Sequence, residues 1–189
     1  MALNVLSAAD AKKYLLKNSL KCEEGCDIPG DIMSVMNQSA TAKELYNYVD
    51  KHKEKITLCF FKGPPEEING AVFDDACETG ATVWFNLKIP VYNAEASKSG
   101  DLVVPPSLVF FHEFGHAKQW LENKAQFQTW TNEGFGSLGY NKKIEDDNLL
   151  RHEWKICDEM TPAFPRRTNY PRWCGFNQEI EKLKSSLPK

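Results

Sequence analysis

The stretch LVFFHEFGHAKQWLENK, residues 108–124, decides the reading of this chain. His112, Glu113 and His116 form an HExxH motif inside it. On a helix the four-residue step places both imidazoles on one face, one turn apart, where they can grip a single zinc ion. Glu113 lies about 100° from His112 around the same helix, within reach of a water at the metal as general base. Phe110, Phe114, Ala117 and Leu121 recur at steps of four, three and four and make a separate apolar stripe. That stripe anchors the helix in a core while the histidine face looks elsewhere. A motif of this kind arises by chance in fewer than about 1% of chains of this composition, so zinc outranks a histidine pair that merely caps or packs.

A zinc hydrolase needs a third protein ligand and one open position. Gln119 and Glu122 stand three and six residues past His116, where a metzincin carries a glycine and its third ligand. Without the glycine the helix has no reason to break, and Glu122 is set aside. A second helix is the better source. In EDDNLLRHEWKICDEM, residues 145–160, His152 and Glu153 are adjacent and point about 100° apart, so one of them faces the metal. Leu149, Leu150, Glu153 and Cys157 share one broad side. If both leucines pack inward, Glu153 points at the motif helix and is the expected third ligand, with His152, Asp146, Asp147 and Asp158 as alternatives. Asp158 has a further reading, as an outer partner for the second nitrogen of a ligating histidine.

Outward from these helices the chain reads as one α+β domain over residues 1–189, with a helical part at 1–55 and the sheet and both site helices in 56–189. Residues 8–18 pattern as an amphipathic helix capped by Ser7. Thr41 and Glu44 form a capping box for a helix near 42–52. ITLCFF, residues 56–61, is β-branched and aromatic and stops before Gly63-Pro64-Pro65, so it reads as a buried strand. GATVWFNL, residues 80–87, is a second strand, either an edge that pairs with an extended substrate or a buried central one. The double proline Pro105-Pro106 precedes the motif helix. TWTNEGFGSLGYN, residues 129–141, has loop chemistry, and its glycines at 134–139 suit a lid over the cleft. Residues 162–171 are irregular, and EIEKLKSS at 179–186 is a small polar helix.

The chain of 189 residues carries 23 basic and 26 acidic residues, a net charge of −3 that leaves no surplus for nucleic-acid phosphates. No apolar run approaches the roughly 20 residues of a membrane helix, and the first residues lack the pattern of a cleavable signal. Six cysteines, with Cys22 and Cys26 four apart, fit neither a disulfide scaffold nor a zinc knuckle and read as mostly reduced, structural thiols. Tyr140, Tyr170, His152 and Arg151 are the visible donors for an oxyanion. Trp84, Trp120, Trp130, Trp154 and Trp173 read as core or cleft wall.

Gly80, Thr82 and Val83 in a strand, HEFGHA from His112 to Ala117, and AsnLeuLeuArgHisGlu at 148–153 followed by Arg167 and Tyr170 make a scattered pattern. It resembles the HExxH effector metallopeptidases that bacteria deliver through type III and type VI secretion systems. The resemblance implies a compact zincin-like α+β domain with a small, mostly antiparallel sheet packed on the HExxH helix and a second ligand-bearing helix. It implies zinc held by His112, His116 and Glu153, with Glu113 as catalytic base. It also implies a monomer that cleaves proteins in a target cell, a secretion-system chaperone or carrier as partner, and export by a dedicated machine; residence in the cytosol is the alternative. Two other functions fit the same motif: a zinc amidase acting on peptidoglycan or another non-protein amide, and a non-catalytic domain that holds an inert metal.

Overall fold

The computed structural model describes residues 3–5, 30–61, 71–77, 80–86, 91–92, 103–104, 106–133 and 141–160. The readings at 8–18, 134–140, 162–171 and 179–186, with Cys22, Cys26, Tyr140, Arg167, Tyr170, Trp173 and Cys174, lie outside these residues.

The strand expected at residues 56–61 forms as β2 (Ile56–Phe61), and β4 (Thr82–Asn86) forms within the second predicted segment. With β1 (Leu3–Val5) and β3 (Ala71–Asp74) they make a mixed sheet in the order β1-β2-β4-β3. β1 pairs with β2 and β2 with β4 in parallel, and only β3 runs antiparallel to its neighbour. The expectation of a mostly antiparallel sheet is therefore corrected. Residues 6–55 separate β1 from β2, with two helices among the described residues of that stretch, and a crossover of that length returns the chain in the same direction. The residues before Ile56 are also not purely helical, since β1 belongs to the sheet. From Ile56 to Phe60, and from Val83 to Phe85, the side chains are buried, as in strands covered on both faces. β4 is thus central and β3 takes the edge. Gly80, with φ 83°, ends the turn between them and donates its N–H to the Cys77 carbonyl at 2.9 Å. A separate antiparallel pair, β5 (Val91–Tyr92) with β6 (Val103–Val104), precedes the motif helix.

Helix α1 (Gly30–Gln38) buries Ile32, Val35 and Met36 at steps of three and one, a stripe too short to stand out in the sequence. Helix α2 (Ala40–Lys51) starts earlier than its capping box suggested, because Ser39 is the cap and its Oγ accepts from the Ala42 N–H at 2.9 Å. Helix α3 (Pro106–Glu122) opens on Pro106 and carries the HExxH motif. It is enclosed on every side from Ser107 to Ala117. On the sheet side, the Phe110 ring lies 5.8 Å from Phe60, 5.7 Å from Phe85 and 4.4 Å from Phe114, centroid to centroid. Stacking on Phe60 and edge-to-face packing on Phe85 hold the helix at a fixed height over β2 and β4. Helix α4 (Lys124–Asn132), capped by Asn123, turns part of the predicted loop into helix.

The second site helix begins at Lys142, where the Asn141 side chain caps it. It runs as α5 (Lys142–Asn148), then one π-helical turn (Leu149–Glu153), then α6 (Trp154–Met160). Leu149, Glu153 and Cys157 are buried as expected, but Leu150 is 57% exposed. Five residues past Glu145, Leu150 stands more than a quarter turn around the axis from that buried side chain. Among the described residues no helix is long and apolar enough to cross a membrane.

The far end of α6 is tied back to α2. Glu159 accepts from the Thr41 N–H at 3.0 Å, from Thr41 Oγ1 at 2.6 Å and from Ser39 Oγ. Although burial acts the other way, the Ser39 and Thr41 hydroxyls hold the Glu159 carboxyl below the usual range. A depressed carboxyl stabilises the fold fully above the ordinary glutamate value near ~4.3 and loses that contribution as pH falls through the lowered one. Glu159→Gln should accordingly flatten the acid limb of a melting-temperature profile taken between about pH 6 and pH 2. An unchanged acid limb would show that this tie carries no pH-dependent stability.

Candidate metal centre

The site forms where α5 and the π turn lie across the histidine face of α3. His112, Glu113 and His116 make a buried group whose ligand atoms lie within 4.8 Å of one another and could hold a metal ion. The Nε2 atoms of His112 and His116 are 3.0 Å apart. Glu145 reaches in from α5, with Oε2 3.0 Å from His112 Nε2 and Oε1 3.4 Å from His116 Nε2. In a tetrahedral zinc site with bonds of about 2.0–2.1 Å, neighbouring ligand atoms stand roughly 3.3 Å apart. Two imidazole nitrogens and one carboxylate thus outline a face of such a tetrahedron.

The outer side of each ring is equally defined. His112 Nδ1 lies 2.8 Å from Glu153 Oε2, and His116 Nδ1 lies 2.9 Å from Gln119 Oε1. The Gln119 amide nitrogen already donates to the Ile144 carbonyl at 2.9 Å and to Asp147 Oδ2 at 2.7 Å, so its oxygen must face the ring. These partners suit a proton on Nδ1 of each ring and leave both Nε2 atoms facing inward, the side from which a metal would be bound.

The donor set also fits a cation electrostatically. Glu113, Glu145 and Glu153 are all at least nine-tenths buried beside only two imidazoles. Glu145 Oε2 is buried and receives no hydrogen bond among the described residues. Against the cost of burial, the Glu145 and Glu153 carboxylates push the His112 imidazole up to about 10. Burial likewise opposes, and Glu145 outweighs it in raising, the pKa of His116. The two imidazoles in turn overcome burial and hold the Glu145 carboxyl well below the ordinary range. Positive charge is strongly favoured at this point, and a divalent ion supplies it without protonating the ligands.

The expected third ligand is placed by its contacts. Glu153 does face the motif helix, but it occupies the outer nitrogen of His112, while Glu145 stands among the inward donors. A carboxylate in the first turn of a helix suits the helix dipole in any protein, so Glu145 carries no separate signal in the sequence. His152 is turned away from both rings; burial and the charges of Lys118 and Arg151 lower its pKa to about 3. Glu122 and Asp147 bind Arg151, which removes that arginine from the oxyanion candidates, and Asp146 pairs with Lys142. Asp158 is exposed, and the histidine-orienting role considered for it belongs to Glu153.

Glu113 is positioned by the sheet: its Oε2 accepts from the Phe73 N–H at 2.8 Å, on the side of β3 that does not pair with β4. Asn148 and Gly115 complete the fit. Asn148 Nδ2 donates to the His112 carbonyl at 2.8 Å, and a Cβ on Gly115 would come within 1.7 Å of Asn148 Oδ1. The glycine inside HEFGH is what lets α5 sit so close, and a lone glycine within a helical pattern is the signal that marks such an approach.

Gly115→Ala should displace Asn148 and cost about 1–3 kcal/mol of stability in denaturant unfolding, the range for overpacking a tight interior. A variant as stable as the parent would show that this contact does not set the spacing of the two helices. Comparison with protein-family models, with curated proteins and with solved structures finds no match, so the reading of this site rests on its own geometry.

Proposed function

We propose that this protein is a zinc-dependent hydrolase of peptide bonds in which His112, His116 and Glu145 hold the ion and Glu113 is the general base. The observation that carries this reading is the convergence of two inward-facing imidazole Nε2 atoms and one buried carboxylate at tetrahedral spacing beside Glu113. Zinc bound by these residues supplies a Lewis acid that polarises a carbonyl oxygen and acidifies water.

The remaining work belongs to the chain. The Phe73 N–H holds Glu113 Oε2, which leaves Oε1 as the oxygen that takes a proton from the attacking water. As the water oxygen bonds to the carbonyl carbon, Glu113 stores that proton; it then gives it to the amide nitrogen while the C–N bond breaks, yielding a carboxylic acid and an amine. Burial of Glu113 keeps bulk water from competing for the proton.

The edge position of β3 supports a polypeptide substrate over a non-protein amide. Among the described residues β3 is the last strand of the sheet, and its unpaired side meets Glu113 at Phe73. An extended peptide added along that side brings its backbone to the base by main-chain hydrogen bonding alone.

Purified protein should hold one zinc per chain and cleave an unfolded protein. Glu113→Gln should keep the zinc and lose about 10²–10⁴-fold in turnover, whereas Glu145→Ala should lose the zinc itself. Wild-type cleavage by Glu113→Gln would overturn the mechanism, and cleavage of cell-wall fragments alone would redirect the substrate to a non-protein amide.

A further inference from the structure

The π turn stands between the two glutamates that flank His112, and its geometry decides which side chain meets the outer nitrogen. In an uninterrupted α-helix, at about 100° per residue, Glu153 would stand about 80° around the axis from Glu145 and His152 only about 20° from it. His152 would then share the metal face, and Glu153 would lie off it. A π turn bonds each residue five ahead and advances only about 80° per residue. Across Leu149–Glu153 that lag accumulates to roughly 90–100°. It brings Glu153 to within roughly 20° of Glu145 and carries His152 about a quarter turn away.

The contacts agree with this arithmetic on both sides. Glu145 meets both Nε2 atoms and Glu153, eight residues on, meets His112 Nδ1 at 2.8 Å. His152 instead faces α2, lining a cavity of about 240 Å³ with Thr41, Glu44, Leu45, Lys118 and Lys155. Glu153 is 1% exposed, so its carboxylate has been taken out of water for this contact. The two rings are also treated unequally, since His116 is backed by the neutral amide of Gln119 and His112 by a full negative charge. A carboxylate behind an imidazole raises its basicity as a ligand more than an amide does.

We propose that the π turn is a register device that sets Glu153, in place of its neighbour His152, behind His112, and that Glu153 acts there as a positioning residue that tightens metal binding. This rests on the zinc reading above. Glu153 touches no substrate; it acts through the ring it orients.

The test is zinc affinity by chelator competition, with the unfolding free energy of the metal-free protein measured alongside. Glu153→Ala should weaken zinc binding about 10–100-fold, the usual effect of losing such a partner. Glu153→Gln keeps the size and an acceptor oxygen but not the charge, and should fall between Glu153→Ala and the parent. His152→Ala, one residue away and equally buried, should bind zinc within about threefold of the parent even if it unfolds more easily. Parent-like affinity in Glu153→Gln and Glu153→Ala, or an equal loss in His152→Ala, would overturn the positioning role while leaving the zinc site intact. Should Glu153→Ala fail to fold, the isosteric Glu153→Gln decides alone, and an unchanged affinity there overturns the proposal. A parent protein that takes up no zinc would instead remove the reading on which it rests.

Discussion

Three carboxylates and two imidazoles gathered inside a hydrophobic core are the constraint on which this structure turns. Glu113, Glu145 and Glu153 converge on His112 and His116 from β3-facing and α5-facing sides, each at least nine-tenths buried. Unpaired charge at that depth would be prohibitive. The arrangement is tenable because the outer nitrogen of each ring is committed, His112 to Glu153 and His116 to Gln119, which leaves the inward donors to a cation. Gln119 shows how tightly this is specified: its nitrogen is fixed by Ile144 and Asp147, its oxygen is thereby fixed on His116, and the tautomer of His116 follows. The fold supplies the rigidity that such a chain of commitments needs. Phe110 and its ring neighbours lock α3 to the sheet, Gly115 admits Asn148, and the Phe73 N–H holds Glu113.

Much of this was legible in the sequence where local pattern and tertiary demand agree. ITLCFF reads as a buried strand because its composition suits a strand covered on both faces, and it forms over those residues. The motif helix was equally clear, since Pro106, the apolar stripe and the histidine spacing all point to one helix. The chain also showed that a second helix faces the first. What it could not show was register. Reading Leu149 and Leu150 together as the inward side is what makes Glu153 the expected inward donor. Leu150 is instead exposed, and Glu153 falls on the outer nitrogen with Glu145 ahead of it. No local propensity announces a π turn, because its stability comes from the contacts it makes possible.

The other differences have the same origin in long-range pairing. The four residues of β3 carry too little alternation to be read as a strand, yet they form the sheet edge that meets Glu113. The parallel course of β1, β2 and β4 depends on crossovers that composition does not encode. Ser39 caps α2 in place of Thr41, and the hydroxyls of both residues are engaged by Glu159 of α6. In each case a side chain with a satisfactory local role was claimed by a distant partner.

The central claim is a ligand set of two histidine nitrogens and the Glu145 carboxylate, with Glu153 outside it. X-ray absorption at the zinc edge of the metal-loaded protein tests it most directly. The parent should show two imidazoles and carboxylate oxygen at about 2.0–2.1 Å, and Glu145→Gln should lose the carboxylate contribution while Glu153→Gln retains it. A parent spectrum lacking imidazole, or one in which the carboxylate contribution disappears with Glu153→Gln and survives Glu145→Gln, would contradict the account.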